Sequence, residues 1–106
     1  MSFEVSSEVT EGIATITMGG TLDSASAPKL QTEIQKISAE HPKQLALFLK
    51  DLTFMASAGL RMIIFAKQKL GPSVPLYMVE PQDQILDTLQ MTGIIHSVNI
   101  VNKFPV

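Results

Sequence analysis

Apolar positions along this chain recur with two different periods, and the switches between them mark out its elements. Phe3 to Ser7 and Ile13 to Met18 are short runs rich in Ile, Val and Thr, separated by Glu8-Val9-Thr10-Glu11-Gly12. Two such runs around a glycine-containing turn predict a β-hairpin. Gly19-Gly20 is expected to break the second strand. The stretch Thr21-Leu22-Asp23-Ser24-Ala25-Ser26 then leads into a helix capped by Ser24 or Ser26, with Pro28 tolerated in the first turn. Ala27, Leu30, Ile34 and Ile37 recur at spacings of three and four and form one apolar stripe. His41-Pro42 ends this helix, because the residue before a proline is pushed out of the α region.

Leu45-Ala46-Leu47-Phe48-Leu49 is a continuous apolar run, which suits a strand covered on both faces. Asp51 falls at the end of that strand, and the segment through Ser57 reads as the turn into a second helix. Leu60, Ile63, Ile64 and Lys67 to Leu70 have helical spacing, and Gly71-Pro72 stops them. Leu76 to Val79 predicts another buried strand. Pro81 opens a third helix with Ile85, Leu86 and Leu89 inward and Gly93 as its C-terminal cap, and Val98 to Val101 predicts a last short strand. The order ββαβαβαβ implies an α/β fold: a mixed β-sheet of four to five strands with helices packed against it.

Composition narrows the classes further. With 106 residues, the chain has room for a single core and is expected to form one domain over residues 1–106. Hydrophobic residues make up 45% and charged residues 17%, as in a packed domain and unlike a disordered tail. The formal charge is −2 and the eight Lys and Arg are scattered, so no nucleic-acid partner is expected. The absence of cysteine excludes disulfides, thiolate metal sites and a cysteine nucleophile. The N-terminal residues lack the basic and apolar regions of a signal peptide, and no apolar run reaches the roughly 18 residues of a membrane span. The expectation is a cytoplasmic domain without direct membrane insertion.

No conventional catalytic constellation is visible. There is no phosphate-binding Gly-rich loop and no GxGxxG. His41 and His96 have neither a second His nor a carboxylate at ligand spacing, and Glu33, Glu40, Asp83 and Asp87 read as solvated charges on helices. No enzymatic activity, cofactor or metal is expected. The chemistry that stands out is Ser57, placed where turn becomes helix with Ala58 and Gly59 behind it. Taken alone, it reads as an N-cap. The same place is also an anion site, since unpaired amides and the positive end of the helix dipole converge there. Asp23 has turn chemistry of its own. It follows the second strand as Ser57 follows the third, and loops leaving neighbouring strands gather at one end of a sheet, where binding sites form.

Three segments carry a resemblance. Gly20-Thr21-Leu22-Asp23, then Leu49-Lys50-Asp51-Leu52-Thr53-Phe54-Met55-Ala56-Ser57-Ala58-Gly59-Leu60-Arg61, then Met91-Thr92-Gly93-Ile94 are similar, in order and separation, to the signature segments of the STAS domain, a family that includes bacterial anti-sigma factor antagonists. The resemblance implies helices on one side of the sheet and a binding module rather than an enzyme. Its expected partners are an anti-sigma factor that is also a serine kinase, and a serine phosphatase of the metal-dependent type. The residue matching the phosphorylated serine is Ser57, and phosphorylation would release the kinase. The expected partner surface comprises Asp23, Ser24, Thr53, Met55, Ala56, Ser57, Ala58, Gly59 and Arg61.

Two departures accompany the match. Many relatives have Asp before the acceptor and Ser or Thr after it, where this chain has Ala56 and Ala58. They also often continue into a further helix beyond the positions of Phe104-Pro105-Val106, and its absence would leave apolar surface for a partner or for a weak homodimer. Two other functions fit the resemblance: a structural or regulatory STAS subunit of a membrane transporter or lipid-transfer complex, and a binder of nucleotide or another small anion at the Ser57 helix start.

Overall fold

In the computed structural model, which describes residues 2–105, the elements follow the expected order with one addition. Strand β1 is Phe3–Thr10, β2 is Ile13–Leu22, α1 is Ala27–Ser38, β3 is Gln44–Met55 and α2 is Ser57–Leu70. Then come β4 at Leu76–Val79, α3 at Asp83–Thr92, a single 3-10 turn at Ile94–Ser97 and β5 at Asn99–Val101. The five strands lie in chain order; β1 and β2 are antiparallel, and each later neighbour is parallel. The hairpin is tighter than the sequence suggests. Thr10 pairs with Ile13, so Glu11 and Gly12 alone make the turn, both with positive φ, the conformation demanded of a two-residue hairpin loop.

The apolar stripes face a common core. Leu30, Ile34 and Ile37 from α1, Leu60, Ile63 and Ala66 from α2, and Ile85 and Leu89 from α3 join Leu45, Leu47 and Leu49 of β3 in one buried cluster. All three helices therefore cover the same face. Ile64 departs from the expected inward stripe: it is 44% exposed, and Ala66 packs inward instead. On the opposite face, Phe104 lies over Phe48 and Tyr77, with ring centroids 6.4 and 5.2 Å away. The central run is thus covered on both sides, on the second by a short tail. Glu33 is not simply solvated. It accepts a hydrogen bond from the Ser7 hydroxyl of β1 at 2.5 Å and pairs with Lys36 at 3.6 Å.

Strands β2 and β3 are longer than the sequence suggests. Gly19-Gly20 does not end β2, and β3 does not end at Asp51. The two strands run on together to Leu22 and Met55. Between the Thr17–Phe48 and Gly19–Asp51 pairs β2 advances two residues while β3 advances three; between Gly20–Leu52 and Thr21–Phe54 it advances one while β3 advances two. Each step is a β-bulge, adding one residue to β3 and bending it. The consequence is that Leu49, Leu52 and Met55 are buried at every third position, with exposed residues between them. Such a pattern matches neither the strand period nor a helical stripe, so the sequence reads as a turn.

Candidate functional site

Strands β2 and β3 end side by side, with Leu22 opposite Met55. The Ala56 amide donates to the Leu22 carbonyl at 2.8 Å, fastening the start of α2 to the start of the Asp23 loop. The parallel ends of the two strands thus bring Asp23 and Ser57 onto one edge of the sheet, as binding sites in α/β sheets are generally placed.

Ser57 is not the N-cap. Ala56 holds that position with extended backbone (φ −88°, ψ 175°), and Ser57 is the first helical residue. No side chain caps α2 and no acidic residue lies in its first turn. The Ala56 carbonyl accepts from Gly59 N–H at 2.9 Å and Leu60 N–H at 3.3 Å, leaving the Ser57 and Ala58 amides without an intrahelical acceptor. The Ser57 side chain is exposed, and its hydroxyl has no hydrogen-bond partner among the described residues. An exposed, uncommitted hydroxyl at an uncapped helix start is open to modification, and the local dipole favours negative charge there. Arg61, exposed and one turn further on, lies on the same face of α2.

Asp23 is held by its own loop. Its Oδ1 accepts from the Ala25 and Ser26 amides at 3.0 and 3.1 Å. The Ser26 hydroxyl, 7% exposed, accepts from the Asp23 amide at 2.8 Å and lies 2.9 Å from the Thr21 carbonyl and 3.0 Å from Asp23 Oδ1. The backbone bond from Ser26, followed by its hydroxyl and the Ala25 amide, holds the Asp23 carboxyl below the usual carboxylate pKa. These donors are fixed on Oδ1, so the second carboxylate oxygen remains available. Ser26, the residue before α1, thus organises Asp23 instead of capping the helix through its side chain, and Ser24 is exposed in the loop.

The remaining expected residues fall into two layers. Thr53, Ser57 and Arg61 are exposed and Ala56 and Ala58 half-buried, although the Thr53 hydroxyl is committed to the Gly20 carbonyl at 3.0 Å. Met55 and Gly59, also expected at the partner surface, are buried beneath it. A Cβ on Gly59 would lie 2.7 Å from Leu22 Cδ2 and 2.8 Å from Met55 Cγ. Only glycine lets α2 approach the strand ends this closely. Asp51 does not join the site. It sits opposite Gly19 in the strand and lines a shallow pocket with Glu4, Ser6 and Thr17. Phe54, 44% exposed beside this edge, is a site feature that the sequence reading did not single out. Among the described residues, no three His, Cys, Asp or Glu side chains gather as a metal cluster, and no helix is long and apolar enough to cross a membrane.

A five-stranded mixed sheet with three helices on one face, and a bare helix start beside an ordered acidic loop, define a small α/β domain. Residues 4–105 match the STAS domain, and the chain belongs to that family. It is 31% identical over 68 residues to the anti-sigma-F factor antagonist RsfB of Mycobacterium tuberculosis, a match covering 64% of this chain and 56% of that protein. The fold is similar to an anti-sigma factor antagonist from Mycobacterium paratuberculosis, with a TM-score of 0.87 at 22% identity over 97% of this chain and 88% of the other. It is also similar to SpoIIAA, solved in its unphosphorylated form (TM-score 0.69, 15% identity, covering 96% of this chain and 88% of that one) and, from Bacillus, in its phosphorylated form (0.70, 16%, 96% and 93%).

Proposed function

We propose that this chain is a cytoplasmic anti-sigma factor antagonist, a binding module that engages an anti-sigma factor with serine kinase activity and is released when Ser57 is phosphorylated. The observation that carries the reading is the seam between Ala56 and Leu22, which sets an exposed, uncommitted hydroxyl beside a fixed carboxylate on one edge of the sheet. The RsfB relative and the SpoIIAA forms support it, and neither SpoIIAA form departs much more than the other from the fold of this chain. The contact surface is made of Asp23, Ser24, Thr53, Phe54, Ser57, Ala58 and Arg61, with Ala56 at its centre.

The switch requires no large motion. A phosphoserine adds about −1.5 to −2 charges at neutral pH. In the free protein, that charge is accommodated by the open amides of α2 and by Arg61 one turn away. Against a partner it must be desolvated close to the Asp23 carboxylate, a cost on the order of a few kcal/mol. Since about 1.4 kcal/mol is tenfold in affinity, the complex separates. A serine phosphatase of the metal-dependent type would restore the binding form.

Incubation with the cognate kinase and ATP, with the phosphorylated residue mapped by mass spectrometry, tests the acceptor. Wild type should take up phosphate at Ser57 and Ser57→Ala should take up none. Equal incorporation in the two would exclude Ser57.

A further inference from the structure

Beyond Phe48, strand β3 outruns its neighbour β4, because the pairing of the two ends at Phe48 and Val79. The chain leaves β4 at Glu80, which has φ of 54°. The overhanging half of β3 therefore has no strand beside it on that edge. Its exposed backbone groups would ordinarily be met by water or by another strand.

Two glutamines at the start of α3 fill that place. Gln82 donates its Nε2 amide to the Lys50 carbonyl at 2.7 Å. Gln84 accepts the Met55 amide on Oε1 at 3.2 Å. The Gln84 side chain is itself fixed, since its Nε2 donates to the Thr88 hydroxyl at 3.1 Å and that hydroxyl donates to the Gln84 carbonyl at 3.0 Å. Met55 is the residue before Ala56, whose own amide is fastened to Leu22 on the other side. The last residue of β3 and the cap of α2 are thus clamped from opposite directions, one by a backbone carbonyl and the other by a side chain from a distant helix.

We propose that Gln84 is a positioning residue for the Ser57 turn: through the Met55 amide, α3 sets where the first turn of α2 begins. The proposal rests on reading Ser57 as the residue that meets the partner. It makes α3 part of the recognition apparatus although none of the expected contact residues lies on it. A leucine at this position keeps much of the packing but offers no acceptor, whereas glutamate keeps an oxygen for the Met55 amide.

Native-state amide hydrogen exchange of the isolated chain reads this directly. In Gln84→Leu, the amides of Met55, Ala56, Gly59 and Leu60 should exchange about fivefold to tenfold faster, the loss of one hydrogen bond at a local opening. Amides of the β1–β2 ladder should be unchanged, and Gln84→Glu should restore the slow rates. Unchanged exchange at the turn, or uniform acceleration throughout the chain, would overturn the proposal. Should Gln84→Leu not fold, Thr88→Val frees the Gln84 side chain more gently. It should speed the same four amides about twofold to threefold, and no acceleration there would equally overturn the proposal. No partner is needed, so a wild-type chain that bound no anti-sigma factor would count against the proposed function and leave the exchange result standing.

Discussion

Substituting Gly59 by alanine sets two physical effects of opposite sign against each other. In an ordinary helix, alanine is favoured over glycine by about 0.8–1 kcal/mol, because it restricts the unfolded backbone. Here the new Cβ would lie 2.7 and 2.9 Å from Leu22 Cδ2 and Cγ, and 2.8 Å from Met55 Cγ. Leu22 and Met55 are 0% and 2% exposed, so neither can swing into solvent to make room. Overpacking of a filled core costs about 1–3 kcal/mol. At a contact below 3 Å against two buried side chains, the upper part of that range applies, and the net is a loss of about 1–2 kcal/mol. For a domain near this size, each kcal/mol lowers Tm by about 4–8 °C. Urea unfolding and thermal melts of wild type and Gly59→Ala measure the difference. A variant as stable as wild type, or more so, would refute the close-packing argument and leave helix propensity as the dominant effect. Because the strain falls where Met55 and Leu22 meet α2, the same variant should also move the Ser57 turn and weaken partner binding more than its stability loss accounts for.

Further expectations follow from other parts of the structure. Asp23 has a lowered folded pKa, so its carboxylate contributes stability above its unfolded value of 3.8 and loses it as pH falls through the lower folded value. Asp23→Ala should therefore destabilise the chain at about pH 6, and its difference from wild type in urea midpoints should shrink as pH falls below 3.8; a difference that grows at low pH would reverse the assigned sign. Leu49, fully buried between the helices and the sheet, should cost about 2–5 kcal/mol when replaced by alanine in denaturant titrations. Ser57→Asp should weaken binding to the anti-sigma factor at least tenfold, with Ser57→Ala near wild type; unchanged affinity for the aspartate variant would argue against a charge-based switch.

How much of this could be read in the sequence depended on period. The stripes of α1 and α3 were legible because Leu30, Ile34, Ile37, Ile85 and Leu89 keep helical spacing and face the core, whereas Leu86, expected inward with them, is only half-buried. The central strand was legible only as far as Leu49. Two bulges then place Leu49, Leu52 and Met55 inward at intervals of three, a spacing that no regular strand shows, and the polar residues between them looked like a turn. Serine's preference for caps pointed to Ser57 as the cap, but the extended residue before the helix is Ala56. The pairing of Asp23 with Ser57 on one edge was readable from topology alone. The glutamine clamp was not, because Gln84 and Met55 lie 29 positions apart and neither carries a local signal of the other.

On the proposed function, a charge on Ser57 separates this chain from its partner. This is tested most directly by titrating the anti-sigma factor with the unphosphorylated chain and with the chain stoichiometrically phosphorylated at Ser57. Affinity should be weaker by about a hundredfold for the phosphorylated form, the equivalent of about 2.8 kcal/mol. Equal affinity for the two forms, or tighter binding after phosphorylation, would contradict it.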